Sequence, residues 1–76
     1  MKEVLETIIR NLVSNQEAVS ISEVNGEKSI IYEVKVAKND MGKIIGKQGK
    51  MAKAIRVVMK AISTKEHKRV NVEFID

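Results

Sequence analysis

The sequence predicts an α+β domain: a three-stranded mixed sheet with three helices packed on one face, in the order α-β-β-α-α-β. Three observations point there. Apolar residues recur at helical spacing at the start of the chain and again in its second half. Strict apolar/polar alternation marks two segments joined by an Asn-Gly turn, and a third near the end. At 76 residues there is room for only one core, so sheet and helices must share it. The predicted domain is therefore a single unit over residues 1–76.

Along the chain, Val4, Leu5, Ile8, Ile9, Leu12 and Val13 form one helical stripe, and Ser14-Asn15 supplies its stop. Val19 and Ile21 then alternate with Ser20 and Ser22, as in a half-buried strand. Asn25-Gly26 predicts a tight hairpin turn, because both residues accept positive φ. After it, Ile30, Tyr32, Val34 and Val36 face one way, with Glu33 and Lys35 opposite. Asn39-Asp40 is read as the N-cap of a short helix over 41–45. A second helix restarts near Lys50, with Met51, Ile55, Val58, Met59 and Ile62 along one side and Lys53, Arg56 and Lys60 roughly opposite. Val70, Val72 and Phe74 alternate in a last strand. Because a helical crossover precedes it, that strand can lie parallel to the second one. A sheet with a single apolar face, covered on that face by helices, is the economical two-layer solution.

Composition narrows the function. The hydrophobic fraction is 43% and the charged fraction 32%, as in ordinary globular chains rather than disordered ones. There is no cysteine, which excludes disulfides, zinc-thiolate sites and thiol nucleophiles. No apolar run is long enough to cross a bilayer, and the first residues do not read as a secretory signal, so a cytoplasmic protein without membrane contact is expected. His67, the only histidine, has one carboxylate near it in sequence and is read as an exposed loop residue rather than a ligand or base. The pairs Glu3/Glu6 and Glu23/Glu27 are read as surface charge. With little space for an enclosed pocket, neither an enzyme nor a small-molecule binder is expected, and no cofactor or metal is implied.

Charge is unevenly placed. Between positions 41 and 65 there are seven basic residues and no acidic one, while the remainder carries seven basic and ten acidic. Such a field concentrates polyanions, nucleic acid above all; the alternative is a solvated lysine-rich helix face.

Three of the four glycines, Gly42, Gly46 and Gly49, fall in the same region. A nucleotide P-loop needs Gly-x-x-x-x-Gly-Lys-Ser/Thr and a dinucleotide fingerprint needs Gly-x-Gly-x-x-Gly; neither spacing is present. Gly42 and Gly46 have the spacing of a membrane-helix dimer motif, but the lysines around them exclude that setting. What remains is Gly46-Lys47-Gln48-Gly49, a Gly-x-x-Gly turn between helices that lets a phosphate backbone approach the main chain, with Lys47 and Lys50 beside it. Gly42 is assigned to close packing within the preceding helix.

The stretch KIIGKQGKMAKAIR resembles the KH family, defined by a Gly-x-x-Gly loop that clamps about four nucleotides of single-stranded nucleic acid. The element order is similar to the type II, prokaryotic variant. The length, Asp40 before the motif and the closing KRVNVEFID look most like the small stand-alone bacterial KH proteins of the KhpA type. Met51-Ala52 departs from the pattern, which expects a small polar residue and then a branched aliphatic. The resemblance implies a single KH domain and a single-stranded RNA-binding protein acting as an RNA chaperone or post-transcriptional regulator. It implies RNA-binding roles for Lys43, Ile45, Gly46, Lys47, Gln48, Gly49, Lys50, Lys53 and Arg56, support of the loop by Ile44, and a groove wall formed by the strand around Val70 and Val72 and by the loop TKEHK. Its implied protein partners are a second copy, giving a homodimer, or a larger Jag-type KH protein. The alternative function is a protein–protein dimerisation module with little intrinsic nucleic-acid binding. Tyr32 and Phe74, the only aromatic residues, are read as core; a KH groove uses aliphatic walls, whereas an RRM or cold-shock fold stacks bases on exposed rings.

Overall fold

A computed structural model describes residues 2–63 and 67–75. Helix α1 spans Lys2–Leu12, strand β1 Ser20–Asn25, β2 Ser29–Lys35, helix α2 Lys38–Ser63 and β3 Arg69–Phe74. The sheet order is β1-β2-β3. β1 runs antiparallel to β2, and β2 parallel to β3, so Tyr32 lies between Glu23 on one side and Val72 on the other. The predicted mixed sheet is therefore present, but among the described residues there are two α-helical elements rather than three. The segments expected to form separate helices on either side of the glycine turn run as one element, α2, interrupted by four residues with non-helical dihedral angles.

Alternation decides the core. Ile30, Tyr32 and Val34 of β2 and Val70 and Val72 of β3 point to the same face, where Leu5, Ile9 and Val13 from the α1 end and Ile44, Ala52, Ile55 and Met59 of α2 cover them. Fully burying one such aliphatic side chain stabilises the fold by about 1.5–3 kcal/mol. β1 lies at the sheet edge and buries only Ile21, and that in part; Val24 is exposed.

Two local expectations are corrected. The hairpin forms where Asn25-Gly26 predicts it, but through a connection of residues 26–28 with no positive φ. Gly26 is needed for proximity instead: its N–H donates to the Ser29 carbonyl at 2.7 Å, and a Cβ there would stand 3.2 Å from that oxygen. Nor is Asp40 the N-cap of α2. The first bond of that helix runs from Met41 N–H to the Ala37 carbonyl at 2.9 Å. Asp40, only 1% exposed, instead accepts from the backbone N–H groups of Ser14 at 2.8 Å and Asn15 at 3.0 Å, which follow the end of α1. It thus ties the two helices together, and its charge in the first turn of α2 also suits the helix dipole.

Those two backbone hydrogen bonds, with help from the Lys43 ammonium, hold the Asp40 carboxyl below its ordinary value of 3.8. A depressed folded-state pKa gives stability that is present above the unfolded value and is lost as pH falls through the folded one. Asp40→Asn is therefore expected to melt below the parent at neutral pH, with the gap closing as pH drops below 3.8. Thermal melts across that range check it; a gap that does not depend on pH contradicts the assignment.

Candidate nucleic-acid interface

Inside α2 the chain leaves the helix at Gly46, with φ −61° and ψ 171°. Lys47 (54°, 47°), Gln48 (65°, 23°) and Gly49 (70°, 25°) follow in the left-handed region, after which the helix resumes. Glycine tolerates this conformation, whereas an L side chain loses about 1–2 kcal/mol in it. Gly49 thus has a backbone reason for being glycine. Lys47 and Gln48 are strained, and strain of this kind concentrates at functional turns. Both side chains are exposed.

Gly46 is different. Its φ is ordinary, and a Cβ placed on it would meet nothing within 4 Å. Neither its conformation nor packing against the described residues calls for glycine there. Gly42 likewise has open space around it, so its assignment to close packing is corrected. The contrast is testable. Gly49→Ala is expected to destabilise the fold by about 1–2 kcal/mol, whereas Gly46→Ala leaves the melting temperature unchanged and weakens only ligand binding. Equal thermal shifts in the two variants contradict this account.

The turn forms a ridge between two surface depressions. On one side is an open groove of about 380 Å³, lined by Ile45, Gln48 and Gly49 at the turn, by Ala52, Lys53 and Arg56 beyond it, and by Phe74 of β3. Gly49, Ala52, Lys53 and Arg56 stand at i, i+3, i+4 and i+7, which places them on one helix face. On the other side, Gly42, Lys43, Gly46, Lys47, Lys50 and Met51 line a second depression. The predicted residues therefore divide: Ile45, Gln48, Gly49, Lys53 and Arg56 border the groove, while Lys43, Gly46, Lys47 and Lys50 lie across the ridge. Lys43 also turns toward α1, with its Nζ 3.0 Å from the Ser14 hydroxyl and 3.9 Å from Asp40 Oδ1. Ile44 is buried beneath the turn and Ile45 is exposed beside it.

The β3 wall also differs from expectation. Val70 and Val72 belong to the core, and the strand reaches the groove through Phe74, which is half-buried. The Arg56 guanidinium lies 5.6 Å from the centre of the Phe74 ring, and its Nε donates to the Val72 carbonyl at 3.1 Å. Of the loop expected to complete that wall, residues 64–66 lie outside the described residues, and His67 is exposed with φ 57°. Phe74 is a groove residue the sequence did not assign, and Ala52, noted there only as a small residue bearing on the groove's shape, lines it too. The signal for Ala52 was its helical spacing from Gly49; for Phe74 it was the end position of an alternating strand.

No helix among the described residues is long and apolar enough to cross a membrane. Among them, no group of three or more His, Cys, Asp or Glu could hold a metal ion.

A mixed three-stranded sheet backed by helices, with a Gly-x-x-Gly turn between two helical stretches beside a groove walled by the last strand, defines a KH domain. The KhpA/KhpB KH-domain pattern matches residues 2–74, and the chain belongs to that family. It is 61% identical over 75 residues to the RNA-binding protein KhpA of Clostridium acetobutylicum, covering 99% of this chain and 100% of the relative. Identity to the RNA-binding protein KhpA of Clostridium perfringens is 57% over 75 residues, with the same coverage. To that of Chlamydia pneumoniae it is 49% over 76 residues, covering 100% of this chain and 97% of the relative.

Proposed function

We propose that this chain is a single-stranded RNA-binding protein, not an enzyme, and that it clamps about four nucleotides at the turn of residues 46–49. The observation that carries this reading is the turn itself: two strained, exposed polar residues between glycines, one of which has no internal reason to be glycine. The phosphate backbone passes over Gly46 and Gly49, with Lys47 and Gln48 contacting or orienting it, and Lys43, Lys50, Lys53 and Arg56 supplying the surrounding field. The bases lie against Ile45 in the groove. The names of the relatives support RNA as the ligand. The element order, with β3 parallel to β2, supports a single type II KH domain over residues 1–76. The protein acts in the cytoplasm as an RNA chaperone or post-transcriptional regulator.

Fluorescence anisotropy with a labelled single-stranded RNA, repeated over a salt series, tests this. With about four phosphates engaged, log affinity is expected to fall with log salt at a slope of about −3. Binding that is indifferent to salt, or a preference for duplex RNA, contradicts it.

A second reading rests on a separate surface. Ile8 and Leu12 of α1 and Met51, Ala54, Ile55 and Val58 of α2 line an apolar depression in which Leu12 and Val58 are 39% and 43% exposed. This supports association with a second copy or with a larger Jag-type KH protein. Pairing would raise the effective RNA affinity above that of one short footprint. Sedimentation at high concentration is expected to show a dimer; a strictly monomeric species counts against self-association.

A further inference from the structure

Arg56 is held by two contacts from β3. Its Nε is fixed by the Val72 carbonyl at 3.1 Å, and its guanidinium lies over Phe74 at 5.6 Å. The helix supplies the side chain and β3 supplies both restraints, so the plane of the fork is set before any ligand arrives. Among the described residues, no hydrogen bond or ion pair engages Nη1 or Nη2. A lysine is a mobile point charge suited to phosphate, whereas a positioned guanidinium offers two parallel donors in one plane. This fork lines the groove where bases, rather than phosphates, lie in the proposed function.

We propose that Arg56 selects the base entering this groove, favouring one with two adjacent acceptors on a single edge over adenine and uracil. With Nε occupied, the pair left to read a ligand is Nη1 and Nη2. Guanine matches that pair with N7 and O6, and cytosine with N3 and O2. Adenine sets an amino donor beside N7, and uracil sets its N3–H between two carbonyls, so either would face the fork with a mismatched group. Ala52 favours admission of the larger base. It lines the groove with a single methyl. Phe74 holds the fork from below, so its removal frees the guanidinium without altering charge. The inference rests on the nucleic-acid reading of the site and assigns it a specificity.

The test compares hexauridine with hexamers alternating U with G, C or A, by anisotropy, on the parent, Arg56→Lys and Phe74→Leu. The parent is expected to bind the G or the C hexamer about tenfold more tightly than hexauridine and the A hexamer. Arg56→Lys keeps the charge but loses the planar fork, so the affinity ratio of the G or C hexamer to hexauridine should fall to about one. Phe74→Leu should reduce the preference in part. Replacing G by 7-deazaguanine removes N7 and separates the two sources: the preference falls away if guanine is read and is untouched in the C hexamer if cytosine is read. Parent affinities that agree within about twofold for all four hexamers overturn the proposal. So does a preference that survives Arg56→Lys, or a uniform weakening of all four in that variant, since a merely structural arginine would give it. Failure of every hexamer to bind the parent overturns the nucleic-acid reading itself, and this proposal with it; failure of selectivity alone leaves that reading standing.

Discussion

Replacing Lys47 and Gln48 together by Asp is expected to weaken single-stranded RNA binding by on the order of 100-fold while leaving thermal stability almost unchanged. The change removes one positive charge and adds two negative ones at the exposed tip of the turn, a net change of three units. At phosphate-contact distance each unit is worth about 1 kcal/mol in water, and about 1.4 kcal/mol is a factor of ten in affinity. Stability is spared because both positions have positive φ, at 54° and 65°. Asp enters the left-handed region more readily than Lys or Gln, so the substitution relieves strain rather than adding it. Anisotropy and a thermal melt on the same sample check both halves. Unaltered RNA affinity in this variant removes the turn from the binding account.

Met59→Ala is expected to do the reverse. Met59 is fully buried, in the cluster formed with Tyr32, Val34, Val70 and Val72 of the sheet and Leu5 and Ile9 of α1. Truncating a side chain in such a position costs about 2–5 kcal/mol, the cavity adding to the lost burial. In a domain this small, each kcal/mol moves the melting temperature by about 4–8 °C, so a fall of about 10 °C or more is expected. Met59 does not line the groove, and below its lowered transition the variant should bind RNA as the parent does. Loss of RNA affinity in the folded variant contradicts the separation of core from site. Together the two variants dissociate binding from stability in opposite directions.

Much of this was legible in the sequence because it rests on local periodicity. Alternation placed Tyr32, Val34, Val70 and Val72 on the buried face, and the helical stripe placed Ile55 and Met59 beneath it. The glycine spacing located the turn. What escaped was set by tertiary contact. Asp40 looked like a helix cap because its position suits one, yet its carboxylate serves Ser14 and Asn15, which are distant in sequence. Lys43 looked like its neighbouring lysines, but Asp40 and Ser14 draw it toward α1. Phe74 continued an alternating strand and so looked like core. Its place at the groove depends on where α2 crosses the end of β3, which no local pattern encodes. The two helical stretches expected as separate helices are joined in one element, α2, through a turn at which the chain leaves the helix at Gly46 and re-enters it after Gly49.

The most direct measurement is a titration of the isotope-labelled protein with a short single-stranded RNA, followed by amide chemical shifts. The account predicts the largest changes at Gly46, Lys47, Gln48 and Gly49, and along the groove at Ala52, Lys53, Arg56 and Phe74. The amides of β1, on the far edge of the sheet, should stay in place. Shifts centred on β1, or on the apolar depression around Leu12 and Val58 with the turn silent, would contradict it.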